Sequence, residues 1–241
     1  MIKSKKIKTA LYIKKGKGNF SLLSKFLFGQ IFLRNKILKQ KRYLIDEFRS
    51  ETENMNFSEL WFDNNIPFWF YVLEKKKLFN KKIKGLEIGS FEGRSSYFLL
   101  NNLKNLNLDC IDTWEGSKEQ VNQNWNTVEK NFDENMSQFK GRYNKFKSKS
   151  FDWYNSNKDK INYYDFVYID GSHYFKDVLL DAQSSWNLLK NGGLMIFDDY
   201  LWNFYDNNEE NPIFGINQFL KEIKNQFKIL YVDTQLFLEK K

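Results

Sequence analysis

Two stretches, YDFVYIDGSH at residues 164–173 and GGLMIFDD at residues 192–199, are short apolar runs that each carry an acidic cluster at or near their end. Apolar runs of this length, with helix-like sequence between them, predict neighbouring buried strands of a parallel sheet. In an open α/β sheet the carboxyl ends of the strands form the ligand crevice. We therefore expect three carboxylates and the only histidine of the chain to meet in one cleft. These residues are Asp170, His173, Asp198 and Asp199.

On either side of these stretches the chain alternates between strand-like and helix-like sequence. The other predicted strands cover residues 84–88, 108–111 and 143–147, and the predicted helices cover residues 57–77, 94–103, 118–135, 176–190 and 213–226. Residues 227–232 and 235–239 predict a closing hairpin. This alternation predicts a doubly wound, mostly parallel α/β sheet, with one antiparallel strand from the hairpin at or near its edge.

Charge divides the chain into two parts. Residues 1–50 carry fourteen basic and two acidic side chains, a net charge of +12, whereas the remaining 191 residues carry a net charge of −4. A chain of 241 residues fits one α/β domain with an appendage. We therefore predict a basic arm at residues 1–50 and a domain at residues 51–241, and the acidic body argues against a nucleic-acid partner.

The basic arm is expected to have two parts. Residues 1–19 are rich in lysine and glycine without an apolar face, which predicts a mobile segment. Residues 21–48 have apolar side chains at helical spacing among basic ones, which predicts an amphipathic helix that is interrupted near Gly29. Its apolar positions are Leu22, Phe26, Leu33, Ile37, Leu44 and Phe48. The segment is too short and too charged to span a bilayer.

Three kinds of partner fit such a helix. The preferred one is the domain itself or a second subunit of a homo-oligomer, the next is peripheral contact with an anionic membrane at its inner face, and the least favoured is nucleic acid. The single cysteine, Cys110, excludes an intrachain disulfide and fits a reducing, cytoplasmic location. Because the sequence has no cysteine–histidine cluster, a structural zinc site is excluded.

The first predicted strand leads into EIGSFEGRS at residues 87–95. The glycines let the backbone turn tightly and approach a ligand, and the helix that follows offers N–H groups to an anion. Two glycines fall short of the three in a dinucleotide fingerprint, and Glu87 would repel a pyrophosphate, so a cofactor with a cationic end is favoured over NAD. An ordinary turn is the alternative for the same pattern.

Asp112 ends the second predicted strand, 25 residues after Glu87. A carboxylate at that place can accept both hydroxyl groups of a ribose. Trp114 follows, and its ring can cover an adenine. The alternatives are a solubilising carboxylate at a strand end and a tryptophan of the core. Together with the glycine turn, the two residues favour a nucleoside cofactor.

Four motifs in order carry a family resemblance: LEIGSFEGRS at residues 86–95, IDTWEG at 111–116, IDGSHY at 169–174, and WNLLKNGG through DDY at 186–200. Through them the chain resembles the class I S-adenosylmethionine-dependent methyltransferases. It is most similar to the branch with macrocin- and mycinose-type sugar O-methyltransferases, over residues 57–241. The resemblance implies a seven-stranded Rossmann-like methyltransferase fold and S-adenosylmethionine as the cofactor.

The resemblance also implies roles for single residues at the cofactor end. Glu87 and Gly89 would face the methionine part of the cofactor, and Ser95 its carboxylate. Asp112 would hold the ribose, and Ser150, after the third strand, would lie near the adenine. The remaining expected cofactor contacts are Ser90, Phe91, Gly93, Thr113, Trp114 and Asp170.

At the reacting end, methyl transfer to a hydroxyl group needs alignment and a nucleophile that has lost its proton. Asp170, Asp198 and Asp199 are expected to bind Mg²⁺, which lowers the pKa of the acceptor hydroxyl. His173 is expected to be the general base, with Asp170 as the second catalytic residue. Helix capping is the alternative for the aspartates, and an uninvolved hydrogen-bonded side chain is the alternative for the histidine.

The expected acceptor is a hydroxyl group of a sugar, a glycan precursor or a small metabolite. Four aromatic residues are candidates to flank it, with the core or a lid as the alternative: Trp61, Trp69, Trp202 and Tyr205. Other functions left open are an RNA methyltransferase or nucleic-acid-binding protein that uses the arm, and a non-methylating, hydroxylase-like relative on the same fold.

Overall fold

The computed structural model describes residues 2–116 and 123–241. Seven of the described segments are strands, and together they form one sheet. The strands are β1 (Ile83–Ile88), β2 (Leu106–Asp112), β3 (Tyr143–Lys147), β4 (Tyr164–Ile169), β5 (Leu189–Phe197), β6 (Phe227–Val232) and β7 (Leu236–Lys240). Their order in the sheet is β3-β2-β1-β4-β5-β7-β6. The pairs β1–β2, β2–β3 and β4–β5 are parallel, and β7 is antiparallel to both β5 and β6. The predicted mostly parallel sheet with an antiparallel closing strand is confirmed.

Helices connect the strands. They are α1 (Ile2–Lys15), α2 (Phe20–Phe28), α3 (Arg34–Lys41), α4 (Tyr43–Glu51), α5 (Ile66–Lys76), α6 (Arg94–Asn102), α7 (Trp125–Met136), α8 (Ser150–Ser156), α9 (Phe175–Leu188) and α10 (Pro212–Glu222). A π-helical turn, Gly29–Leu33, joins α2 to α3. A π turn widens the helix by one residue, so the interruption predicted near Gly29 takes this form. No helix among the described residues has the length and apolar character to cross a membrane.

Residues 37–158 form one compact unit around β1 to β3. Leu86 and Leu108 are fully buried on neighbouring strands, because helices cover a parallel sheet on both faces. An ion pair lies beside the aromatic core of this unit. The Arg94 guanidinium donates to both carboxylate oxygens of Asp63, at 2.6 and 3.0 Å, and packs against the rings of Phe48 and Phe57. The pair is bidentate, which is the strong geometry for a buried charge.

Residues 1–36 and 159–241 form the second compact unit, which holds β4 to β7. Its parallel pair sets Phe166 to Ile169 of β4 opposite Leu194 to Phe197 of β5, and these eight side chains are buried. The N-terminal helices pack into this unit through Ile13 and Leu22, both fully buried. The division predicted at residue 50 is tested by no observation of this structure and stays a prediction.

Three expectations about elements differ from the structure. Residues 2–15, expected to lack ordered structure, form α1, because Ile13 and Tyr12 have partners in the same unit. The helix expected from residue 57 begins only at Ile66, where Pro67 occupies the first turn, in which its missing N–H costs nothing. The helix expected from Lys118 begins at Trp125 with Asn124 as its cap, and residues 117–122 lie outside the described residues.

Candidate functional site

The turn after β1 depends on its two glycines. Gly89 and Gly93 have φ values of 87° and 82°, in the left-handed region that glycine adopts without strain. A Cβ atom at Gly93 would lie 3.1 Å from atoms of both Phe132 and Met136, so space as well as conformation requires glycine there. Phe91, between them, takes φ of 48° with a full side chain. Such strained residues cluster at ligand-binding sites.

Asp112 holds this turn in place. Its carboxylate accepts the backbone N–H groups of Ser90 and Phe91 at 2.9 Å each and that of Trp114 at 2.7 Å. Burial raises the pKa of Asp112, and these three donors oppose the shift. A carboxylate has about four lone-pair positions, so little of its capacity remains for a ribose while the turn keeps this geometry. The expected ribose contact stays a prediction.

Glu87 is fully buried at the end of β1. Its carboxylate accepts hydrogen bonds from the hydroxyl groups of Ser95 at 2.6 Å, Ser90 at 3.1 Å and Ser96. Burial raises the pKa of Glu87, and the three hydroxyl donors lower it in part. Ser95 is expected to hold the cofactor carboxylate. In this structure its hydroxyl group donates its hydrogen bond to Glu87. Sequence spacing could not reveal Ser96, because it differs in no visible way from any other polar residue of α6.

The remaining residues expected at the cofactor lie around the same turn. Trp114 is buried, donates from Nε1 to the Phe91 carbonyl at 2.8 Å, and packs on Phe132 with ring centroids 5.0 Å apart. This placement corresponds to the core alternative for Trp114. Thr113 accepts the N–H of Glu115 through its hydroxyl group at 3.2 Å. Ser150 begins α8 directly after β3.

The acidic cluster of the second unit forms at the ends of β4 and β5. Asp170, His173 and Asp199 each offer one ligand atom, and these atoms lie within 4.8 Å of one another. His173 Nε2 and Asp199 Oδ2 are 2.8 Å apart, and both side chains are partly exposed. Asp199 has φ of 49°, a left-handed conformation that is uncommon for a residue with a side chain. Carboxylate oxygens facing open space are the donors that Mg²⁺ prefers.

Asp198 has a different setting from Asp199. Its Oδ2 accepts a hydrogen bond from the Tyr168 hydroxyl, and its Oδ1 accepts the N–H of Asp199 at 2.8 Å. Burial, and then the neighbouring Asp199 carboxylate, raise the pKa of Asp198 to about 6. The structure therefore brings Asp170 and Asp199 together with His173, and it places the Asp198 carboxylate against Tyr168. The expected metal set of Asp170, Asp198 and Asp199 stays a prediction.

Tyr168 is a site residue that the sequence did not indicate. Its hydroxyl group lies 2.9 Å from Asp170 Oδ2 and also binds Asp198. Tyr168 lies in β4 and Asp170 follows its last residue, so the spacing of two directs both side chains to the same side of the sheet. That spacing is the signal that could have found it, but within an apolar run the tyrosine resembles a core residue.

Aromatic side chains surround His173. The Trp202 ring lies 4.7 Å from the imidazole between centroids, and Phe204 stacks on Trp202 at 5.1 Å with an interplanar angle of 15°. Tyr205 meets Trp202 edge-on at 6.1 Å. Trp69, expected as a flanking candidate, is instead 1% exposed in the core of the other unit. Trp61 is 56% exposed and contacts Phe91, with ring centroids 5.4 Å apart.

Comparison with known proteins shows what this chain is similar to. Residues 86–200 match the model of a family described as a methyltransferase domain. An uncharacterized protein of Acanthamoeba polyphaga mimivirus is 30% identical over 144 residues, which cover 59% of this chain and 63% of that protein. Among solved structures, the MycE methyltransferase of the mycinamycin biosynthetic pathway, in complex with Mg, SAH and mycinamycin VI, aligns with a TM-score of 0.57 and 16% identity. That alignment covers 81% of this chain and 54% of MycE, so the chain spans about half the length of MycE.

A second solved structure, the O-methyltransferase from Bacillus cereus in complex with SAH, aligns with a TM-score of 0.54 and 13% identity over 90% of this chain and 97% of that one. At identities this low, the two structural alignments establish the fold and nothing beyond it. The fold is the Rossmann-like fold of O-methyltransferases. Residues 86–200 of this fold are the part that is similar to a methyltransferase domain.

Proposed function

We propose that the chain is an S-adenosylmethionine-dependent O-methyltransferase that acts with Mg²⁺ on a hydroxyl group of a sugar, a glycan precursor or a small metabolite. One observation carries the proposal. Asp170, His173 and Asp199 stand together at the ends of β4 and β5, beside the stacked rings of Trp202 and Phe204. This group combines oxygen ligands, a proton acceptor and an apolar platform, which methylation of a hydroxyl group requires.

The turn after β1 supports S-adenosylmethionine as the cofactor. Glu87 and Asp112 place two carboxylates at the turn, where they favour a cationic ligand and oppose a pyrophosphate. S-adenosylmethionine carries a sulfonium and an ammonium group, which suit this pair of carboxylates. The exposed ring of Trp61, next to Phe91, offers a surface for the adenine. The MycE and Bacillus cereus structures contain SAH, the product of methyl donation.

The acidic cluster supports Mg²⁺. Asp170 and Asp199 are the carboxylates that stand with His173, and Asp198 would join them while the Tyr168 hydroxyl orients its carboxylate. A bound Mg²⁺ supplies a Lewis acid that lowers the pKa of the acceptor hydroxyl. The MycE structure contains Mg.

The residues of the chain account for the proton and for orientation. As the acceptor oxygen bonds to the methyl carbon and the carbon–sulfur bond breaks, the hydroxyl proton passes to His173 Nε2. Asp199 Oδ2 lies 2.8 Å from that nitrogen in this structure, so the carboxylate must move off Nε2 before the nitrogen can accept the proton. The stacked Trp202 and Phe204 rings bind the apolar face of a sugar or an aromatic ring and hold its hydroxyl group beside His173.

The test is a methyl-transfer screen with the full chain, with Mg²⁺ or with excess chelator. The acceptors are nucleotide sugars, simple glycans, phenols and RNA, and binding of SAH is measured separately by calorimetry. We expect methylation of a hydroxylated acceptor that is lost with chelator, while SAH binding persists. His173→Gln should lower kcat by about 100-fold, whereas the exposed carboxylate variant Asp206→Asn should leave it unchanged. Full turnover in chelator would remove the metal from the proposal, and NAD binding tighter than SAH binding would remove the cofactor.

A further inference from the structure

The second N-terminal helix exposes an apolar stripe that internal packing does not use. We define the α2 stripe as five large side chains between residues 20 and 32. Their exposed fractions are 85% for Phe20, 38% for Leu27, 50% for Phe28, 59% for Ile31 and 61% for Phe32. Phe28 and Phe32 contact each other, with ring centroids 5.1 Å apart. Isolated exposed apolar residues are ordinary, but a contiguous set of this kind marks an interaction surface.

The opposite face of the same helix is fixed in the fold. Leu22 and Phe26 are 0% and 2% exposed. Beyond them, Gln30 Nε2 and Arg34 Nε donate to the two carboxylate oxygens of Asp233, at 2.8 and 2.9 Å. The protein itself therefore covers the predicted apolar face that includes Phe26, which agrees with the domain as the preferred partner of that face. The α2 stripe is the face that is held outward.

Charge indicates what meets the α2 stripe. Residues 1–36 contain ten basic side chains and no acidic one. Lys25 is exposed on α2, next to the stripe by helical spacing, and Lys36 is exposed on α3, four residues after Phe32. On the preceding helix, Lys8 is exposed, as are the apolar residues Ile7 and Leu11. Exposed phenylalanine and aliphatic side chains next to uncompensated lysines are the composition of an interfacial membrane helix.

We propose that the α2 stripe docks on the surface of an anionic lipid bilayer. A second copy of the chain would bring the exposed lysines beside the stripe close to the same lysines of its partner, which opposes self-association through this face. Nucleic acid would use the aromatic rings for stacking but would leave Leu27 and Ile31 without a partner. An anionic bilayer fits both the apolar stripe and the lysines beside it, because the apolar side chains enter the acyl boundary and the lysines stay among the headgroups.

Docking would also orient the acceptor side of the proposed active site. The Tyr12 hydroxyl donates to the Trp202 carbonyl at 3.2 Å, and Asn217 Nδ2 donates to the Gly16 carbonyl at 2.8 Å. The segment that precedes α2 is thus bonded to the loop whose tryptophan lies on His173. A bilayer at the α2 stripe therefore favours a membrane-associated acceptor. This consequence rests on the proposed function, whereas docking itself does not.

Sedimentation with vesicles of phosphatidylcholine, with or without phosphatidylserine, tests the docking in the full chain. We expect binding to the anionic vesicles that added salt weakens, and little binding to the neutral ones. The double variant Phe28→Ser with Phe32→Ser should bind at least about tenfold more weakly. The matched control is Phe151→Ser, which removes a phenylalanine of 54% exposure outside the N-terminal helices and should bind like the wild type. Equal binding of all three proteins would overturn the proposal.

A label reports the contact directly. Cys110 is fully buried, and burial raises the pKa of its thiol well above the usual value, so an introduced exposed cysteine can be labelled selectively. A polarity-sensitive fluorophore at Phe28→Cys should shift to the blue with anionic vesicles, and the same fluorophore at Phe151→Cys should not. Overturning results are an unshifted probe at residue 28, a shift caused by single-stranded RNA instead of vesicles, or a shift that follows protein concentration without lipid. Loss of methyl transfer alone would leave each of these readings intact.

Discussion

Removal of the Asp112 carboxylate is expected to weaken cofactor binding by loosening the turn after β1. The carboxylate accepts three backbone N–H groups, from Ser90, Phe91 and Trp114. Each buried donor left without an acceptor costs about 1–3 kcal/mol, but Asp112 is only partly buried and water can replace part of the loss. We therefore expect Asp112→Ala to reduce the free energy of SAH binding by about 2–4 kcal/mol, or roughly 30- to 1000-fold in Kd.

Asp112→Asn gives an intermediate test. Its single carbonyl oxygen can serve either Trp114 or the pair of Ser90 and Phe91, and its NH₂ group then faces the other donors. Calorimetric titration of SAH should thus rank affinity as wild type, then Asn, then Ala. Asp109→Asn is the matched control, because Asp109 lies on the same strand, is buried, and accepts from Asn144 at 2.7 Å away from the turn. An Asp112→Ala protein that binds SAH within twofold of the wild type would refute the reasoning.

Three other outcomes are expected. Tyr168→Phe removes the hydroxyl group shared by Asp170 and Asp198, and calorimetry should show Mg²⁺ binding weakened by about tenfold; unchanged binding would contradict this role. Asp63→Asn leaves the Arg94 guanidinium without its anionic partner, so urea unfolding should show a loss of about 3 kcal/mol, and a loss below about 1 kcal/mol would contradict a stabilising pair. The pKa of Asp198 rises to about 6 on folding, so in the presence of chelator its contribution to the free energy of unfolding is complete below pH 4. As the pH rises to about 7, the free energy of unfolding should fall by about 1–3 kcal/mol, and thermal unfolding of Asp198→Asn should not show this pH dependence.

The strands were more predictable than the helices for a physical reason. A strand covered on both faces is a largely apolar run that ends at glycine or a carboxylate, and β4, Tyr164–Ile169, has the bounds of the predicted apolar run before Asp170. The helix expected from residue 57 started late, because Asp63 is held by Arg94 and the chain turns there before α5. The short helix α8 was missed, since seven mostly polar residues carry too little periodicity to be recognised.

Side-chain direction limited what the sequence could say about the acidic cluster. Asp198 and Asp199 are adjacent, and successive side chains at a strand end point to opposite sides. Only Asp199, with its left-handed backbone, reaches His173, while Asp198 turns to Tyr168. The predicted neighbouring strands placed the carboxylates at one edge of the sheet, in one cleft. Which of them meet depends on the backbone conformation of a single residue, which a sequence pattern does not report.

The helix α2, with the turn that follows it, shows the same limit of sequence patterns, and here the limit bears on function. Its sequence is apolar on two faces, one through Leu22 and Phe26 and the other through Leu27 and Ile31, and periodicity cannot tell which of them the protein covers. A helix that is apolar on most of its surface is stable only where both faces are buried. The fold covers the first face, and the second stays exposed beside lysines with no acidic residue among the first 36. Because like-charged copies repel, the partner that best fits the exposed face is an anionic bilayer, which has negatively charged headgroups over an apolar acyl region.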